Sequence, residues 1–327
     1  MPSFSGAAKA AVTLARADAK VTDFGGFSRS WPGQKTGAPD RGIPSNRCFK
    51  EYMNRTMDKG APSFGKVSAV IITYNEEANI RRTLQQLHWC DEIVIVDSYS
   101  TDNTVSICRE FNCTIYFKEF DGYGAQKRFA VSKASHNWVL CIDADEVLSY
   151  QLVEEILRIT PAEASLHAGF SFRMNLVFLG KEFKHGKESG RYFTRLFNKE
   201  QGGFTNDKVH EAIKVNGPVK KLNHIILHYS YTSLHQCLEK NNRYSTYSAE
   251  MAFSKGKDKP MLVILLGLPF NFIKYYFLER NMLNGVKGFY WSVFSSYYHF
   301  SKHVKLKELR QACRQHATIS VTTLSKA

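Results

Sequence analysis

Between Val67 and Ile142 the chain alternates short apolar runs with polar stretches at a regular spacing. Val67–Thr73, Glu92–Asp97, Cys113–Phe117 and Trp138–Ile142 have the length and β-branched content of strands. Asn79–Leu87, Asn103–Asn112 and Gly124–Ala134, which separate them, read as helices. Apolar residues at successive rather than alternate positions predict strands buried on both faces. Strand–helix alternation then predicts βαβ units and a parallel sheet. Beyond Glu146 the pattern predicts a helix through Arg158, a mixed region of strands and loops over 169–230, and a helix over Ser233–Phe253.

The two ends of the chain read differently. Residues 1–65 are broken by Gly25-Gly26, Pro32-Gly33 and Pro39, and are expected to be a disordered extension or the product of a start placed upstream of Met53 or Met57. Met261–Phe270 is apolar, yet too short and too interrupted by Pro269 to cross a bilayer alone. Aromatic residues follow (Tyr275, Tyr276, Phe289, Tyr290, Trp291), and then Lys302, Lys305, Lys307, Arg310 and Arg314. This order predicts amphipathic helices at an anionic membrane surface, with a helical cap on the catalytic domain as the alternative. The expected division is therefore 1–65, a catalytic domain over 66–254, and a helical region over 255–327.

Charge sharpens that division. The net +14 is carried by residues 1–66 (+6) and 255–327 (+9), while the body between them sums to −1. A nucleic-acid groove would be basic around its site, so no nucleic-acid partner is expected. Seven scattered cysteines, with no Cys-x-x-Cys pair, suggest reduced thiols in a cytosolic protein.

The chemistry collects where the strands end. In open α/β sheets ligands bind beyond the carboxyl ends of the strands. Those ends carry Asn75-Glu76, Asp97-Ser98 and Asp143-Ala144-Asp145. In extended geometry Asp143 and Asp145 would project from one face, where two carboxylates call for a cation between them. Hard oxygen ligands suit Mg²⁺ or Mn²⁺, and such ions are usually completed by a substrate's phosphates. A strand cap followed by a helix start is the plainer reading of the same residues.

Three segments, Val70-Ile71-Ile72-Thr73-Tyr74-Asn75-Glu76-Glu77, Ile95-Val96-Asp97-Ser98-Tyr99-Ser100-Thr101-Asp102-Asn103-Thr104 and Ile142-Asp143-Ala144-Asp145-Glu146, together resemble family 2 glycosyltransferases. Val209-His210-Glu211, Leu227-His228-Tyr229-Ser230-Tyr231 and the aromatic-basic tail narrow the resemblance to the branch of lipopolysaccharide core β-1,4-glucosyltransferases. The resemblance implies the Rossmann-like GT-A fold, with a mixed, mostly parallel sheet flanked by helices, and an inverting transfer from a nucleotide-sugar donor. It also implies roles. Asp97 would accept from the uracil N–H, Thr73, Tyr74 and Asn75 would border the base, and Glu76 would reach the ribose. Asn75-Glu76-Glu77 equally suits a helix start. Lys127 would lie near the donor, or else on a solvated helix face. Asp143 and Ala144 would contact the donor, and Asp143 and Asp145 the metal. His228 could complete the metal shell or be structural. Glu211 would be the catalytic base, with His210 beside it. The implied protein is a peripheral enzyme on the inner face of the cytoplasmic membrane. It would move glucose from UDP-glucose to a lipid-linked glycan. Another donor, a polyprenyl-phosphate acceptor, or nucleotide-sugar binding without catalysis are the alternatives.

Overall fold

The computed structural model describes residues 62–205 and 212–324, with the backbone alone for 316–324. The expectations placed on residues 1–61, and on Val209, His210 and Glu211, lie outside the described residues. The chain divides into two compact units at Thr232/Ser233.

In the first unit the predicted alternation is present. Strands β1 (Val67–Thr73), β2 (Glu92–Asp97), β3 (Thr114–Phe117) and β4 (Trp138–Cys141) are joined by helices α1 (Ile80–Leu84), α2 (Thr104–Glu110) and α3 (Tyr123–Lys133). These four strands pair in parallel in the order β3-β2-β1-β4. Alternate residues of β1 serve opposite faces of the sheet. Val67, Ala69 and Ile71 join Ile80 and Leu84 of α1 in one core, while Val70 meets Ala130 of α3 in the other. Burial on both sides is why the strands read as unbroken apolar runs.

The second half of the sheet is antiparallel or mixed. It holds β5 (Glu146–Leu148), β6 (Gly169–Phe178), β7 (Lys181–Glu182), β8 (Arg191–Asn198) and β11 (Val219–Tyr231). The full order is β3-β2-β1-β4-β8-β6-β11-β5, with β7 on β6, giving nine strands among the described residues. A separate two-stranded ribbon pairs β9 (Gly202–Phe204) with β10 (Ile213–Val215). Helices α4 (Tyr150–Leu157) and α5 (Pro161–Ser165) follow β5.

One difference from the sequence reading sets up the site. Glu146 does not lead directly into a helix. It begins the short strand β5, and the helix waits for Ser149, whose side chain accepts from Leu152 N–H as an N-cap. Strand β5 pairs with β11 in the register Glu146↔His228. The turn before it is closed by Glu146 N–H to the Asp143 carbonyl at 3.0 Å. Asp145 therefore lies in a turn rather than an extended segment. Its carbonyl accepts from Tyr229 N–H at 2.8 Å, and Thr83 Oγ1 of α1 donates to the Ala144 carbonyl at 2.8 Å.

The second unit is helical: α6 (Leu234–Ser254), α7 (Met261–Ile273) and α8 (Val286–Leu324). Pro269 does not end α7, which runs on through a π-helical turn, Lys274–Leu278. An interior proline removes one backbone donor. The helix continues past this point while packed against α8.

Thr83 ties the acidic turn to α1 from a fully buried position. Thr83→Val keeps the shape and removes the donor, so a loss of about 1–3 kcal/mol is expected. A urea unfolding midpoint equal to the wild type's would show that the Ala144 carbonyl does not depend on this bond.

Candidate active site

The turn Asp143-Ala144-Asp145-Glu146 brings three carboxylates together, and three cationic side chains from distant parts of the chain meet them. Lys127 Nζ of α3 lies 2.8 Å from Asp143 Oδ1. Arg195 Nη2 of β8 lies 3.3 Å from Asp143 Oδ2 and also donates to Glu146 Oε1. His228 Nε2 of β11 lies 3.3 Å from Asp145 Oδ2. Glu146 Oε2 accepts from the Asp143 N–H at 3.0 Å, so Glu146 braces the turn that carries the aspartates.

Burial makes these contacts consequential. Glu146 is fully buried, and the Lys127 and Arg195 side chains are only 8% and 11% exposed. Burial alone would push the Asp143 carboxyl up, but Lys127 and Arg195 outweigh it and hold Asp143 well below the usual carboxylate range. Glu146 is raised, because burial and the neighbouring Asp143 outweigh Arg195. Burial disfavours the charged His228 ring, yet Asp145 foremost, with Glu146 and Asp143, raises it to about 9. The Cys141 thiol beneath them is pushed up by burial to about 12 and stays protonated.

A second group of the expected residues sits at the ends of β1 and β2, which pair in the register Thr73↔Asp97. Asp97 is fully buried, and its carboxylate accepts from Ser100 N–H at 2.7 Å and Ser100 Oγ at 2.6 Å. It is thus engaged in closing the turn after β2. Asn75 has φ 54°, accepts from Thr101 N–H at 2.8 Å and donates its own N–H to Ser100 Oγ at 2.9 Å. Glu76 accepts from Asn79 Nδ2 at 2.9 Å, in the manner of a helix start. Tyr74 is 57% exposed. Thr73 is buried, and its Oγ1 has no hydrogen-bond partner among the described residues. Unsatisfied buried hydroxyls are uncommon, and this one lies at the strand edge where ligands bind.

Of the cations at this turn, Lys127 had two open readings and Arg195 none. Lys127 is buried against Asp143, not on a solvated helix face. Arg195 had no assigned role. Its signal is an arginine one residue before Leu196-Phe197 in an apolar strand, where a buried charge requires a partner. No group of three or more His, Cys, Asp or Glu side chains forms a ready-made metal cage among the described residues. A cation here would have to share its coordination between one or two carboxylates and a ligand's oxygens, as Mg²⁺-type ions do.

The glycosyl transferase family 2 model matches residues 68–219. A relative in Rickettsia prowazekii (strain Madrid E), the uncharacterized glycosyltransferase RP128, is 32% identical over 255 residues, spanning 75% of this chain and 87% of the relative. The lipopolysaccharide core biosynthesis glycosyltransferase LpsC of Rhizobium meliloti (strain 1021) is 29% identical over 247 residues, or 73% of this chain and 91% of LpsC. Among solved structures, the mannosyltransferase PcManGT from Pyrobaculum calidifontis, in complex with GDP-Man and Mn²⁺, aligns with a TM-score of 0.37 at 15% identity. That alignment covers 85% of this chain and 86% of that one. The protein is a transferase enzyme with the mixed α/β GT-A architecture. It belongs to glycosyltransferase family 2.

Two predictions follow the charges. Arg195→Met strands the buried Glu146 and frees one side of Asp143, so a loss of about 3–5 kcal/mol is expected. Adding Glu146→Gln should recover part of it, and strictly additive losses in this double-mutant cycle would dismiss the bridge. His228 is raised in the folded state, so its stabilising contribution is complete below about pH 6.5 and is lost as pH rises through about 9. With chelator present, the wild type should lose on the order of 1–2 kcal/mol across that window relative to His228→Gln. Parallel stability–pH curves for the two proteins would exclude the His228–Asp145 pair as their source.

Proposed function

We propose that the protein transfers a hexose, glucose from UDP-glucose, to a lipid-linked glycan of the lipopolysaccharide core type, with inversion to a β-linkage, at the cytoplasmic face of the membrane. The observation that carries this reading is the acidic turn Asp143-Ala144-Asp145 beyond β4, compensated by Lys127, Arg195 and His228. Family membership supports the transferase chemistry, and the name of the relative LpsC supports the acceptor class.

Asp143 and Asp145 supply hard oxygen donors of the kind that fit Mg²⁺ or Mn²⁺, and they would hold it together with the donor's phosphates. Such an ion, when bound, supplies Lewis-acid stabilisation of a departing diphosphate. Lys127 and Arg195 already face Asp143 and would add positive charge beside those phosphates. His228 carries a proton at neutral pH in its pair with Asp145, so ligation through this ring would require release of that proton. On the base side, Asp97 would meet the uracil ring, Thr73, Tyr74 and Asn75 would border the base, and Glu76 would reach the ribose. Asp97 would have to give up part of its bonding to Ser100 to do so. The attacking hydroxyl needs a general base, a contribution on the order of 10²–10⁴-fold. That role is assigned by resemblance to Glu211, with His210 as its neighbour.

The reading is tested by thermal unfolding with UDP, with and without Mn²⁺, on the wild type and on Asp143→Asn/Asp145→Asn. A ligand at 100 times its Kd should add about 2.7 kcal/mol to the wild type. The metal-dependent part should vanish in the variant. Stabilisation by another nucleoside diphosphate instead of UDP would change the donor, and stabilisation by none would end the proposal.

A further inference from the structure

The helical unit is built inside out. Between Met261 and Phe270, α7 has a single buried side chain, Ile264, while Leu262, Leu266 and Phe270 are 67%, 60% and 64% exposed. The facing arm, α8, likewise exposes Val286, Phe289 and Val293. Polar side chains point inward. Asn281, Asn284, Ser292 and Ser296 are each at most 4% exposed. Their hydrogen bonds are made within the hairpin: Asn281 Nδ2 to the Tyr275 carbonyl at 2.9 Å, Asn284 Nδ2 to Asn281 Oδ1 at 3.2 Å, and the two serine hydroxyls to carbonyls one turn back. Gly288 lets the arms close up, since a Cβ there would stand 1.8 Å from the Asn281 carbonyl oxygen.

A helix pair folded for water places these groups the other way round. Hydrocarbon requires that polar groups be satisfied internally and favours small and polar residues where helices meet. A helix lying in the headgroup plane would keep a polar face upward, and α7 has none between Met261 and Phe270. The apolar arm Met261–Leu278 has 18 residues, roughly 27 Å at the helical rise, against a hydrocarbon layer of about 30 Å.

The root of the hairpin is basic. Lys257 and Lys259 precede α7, and Lys302 follows the exposed apolar part of α8. Partial burial lowers the Lys302 ammonium, and Lys257 and Lys259 lower it further, so these like charges crowd together. Anionic headgroups would relieve that crowding.

We infer that the hairpin from Met261 to Ser301 inserts into the hydrocarbon interior of an anionic bilayer, with its lysine-rich root at the headgroups. This deepens the membrane-associated part of the proposed function and rests on that part alone, independent of the donor chemistry.

The test uses the full chain with phosphatidylcholine vesicles, with and without phosphatidylglycerol, read by flotation and by quenching of Trp291 with lipids brominated along the acyl chains. Flotation should improve with phosphatidylglycerol, persist in concentrated salt, and be accompanied by quenching that disappears in Trp291→Phe. Leu262→Glu/Leu266→Glu, at two exposed positions, should lower partitioning by more than about tenfold. It should leave UDP-dependent thermal stabilisation unchanged, which separates failure of the anchor from failure of the donor site. Flotation that salt abolishes, with Trp291 unquenched, would mean surface adsorption and overturn the inference. A stable lipid-free dimer that shields Trp291 and does not float would overturn it in favour of a second copy.

Discussion

Arg195 sits between two carboxylates, the fully buried Glu146 and the half-buried Asp143, whose close approach calls for a cation between them. The cost of taking such charges out of water is several kcal/mol each, and it is recovered only where opposite charge and hydrogen bonds are supplied in the right geometry. The sheet supplies them. Strand β4 runs beside β1 on one side and β8 on the other, and β11 crosses over to pair with β5. This places a residue of β8 and a residue of β11 at the turn that follows β4. The antiparallel partner of β4 thus supplies Arg195, the pairing of β11 with β5 supplies His228, and helix α3 supplies Lys127.

The first half of the fold was legible because its strands are buried on both faces and therefore announce themselves as apolar runs, as in Val67–Thr73 and Glu92–Asp97. The acidic turn was legible for the same reason, since carboxylates directly after a buried strand are conspicuous. Helix ends moved by a residue or a few, as at Ile80–Leu84, where the last turn of the expected helix is irregular. What escaped the linear reading depends on pairing across long separations. Arg195 meets Glu146 only because β8 and β4 are antiparallel neighbours, whereas His228, which the resemblance offers to the same metal shell as Asp145, reaches it through the pairing of β11 with β5. The buried arginine announces that it needs a partner, but nothing local says that the partner is Glu146. Strand β5 itself has three residues and no pattern long enough to compete with the helix that follows it.

The C-terminal unit shows a different limit. The apolar run and the basic residues were visible, but their arrangement in space was not. Periodicity distinguishes a one-sided helix from a helix that is apolar all round, yet it cannot show that two arms turn their asparagines and serines toward each other. Pro269 argued for a break, and in this packing it costs one hydrogen bond within a helix that continues to Leu278.

The loops after β1 and β2 are joined by more bonds than either makes within itself. Asn75 bonds to Ser100 and Thr101, Glu76 N–H donates to Thr104, and Glu77 exchanges bonds with Asp102 and Asn103. Two residues of this lattice, Asn75 and Tyr99, hold positive φ, a conformation that neighbouring contacts must maintain. The loops consequently form one mechanical piece. A ligand that drew Asp97 away from Ser100 would also loosen the grip on Asn75, so the two loops would have to rearrange together rather than by the adjustment of a single side chain.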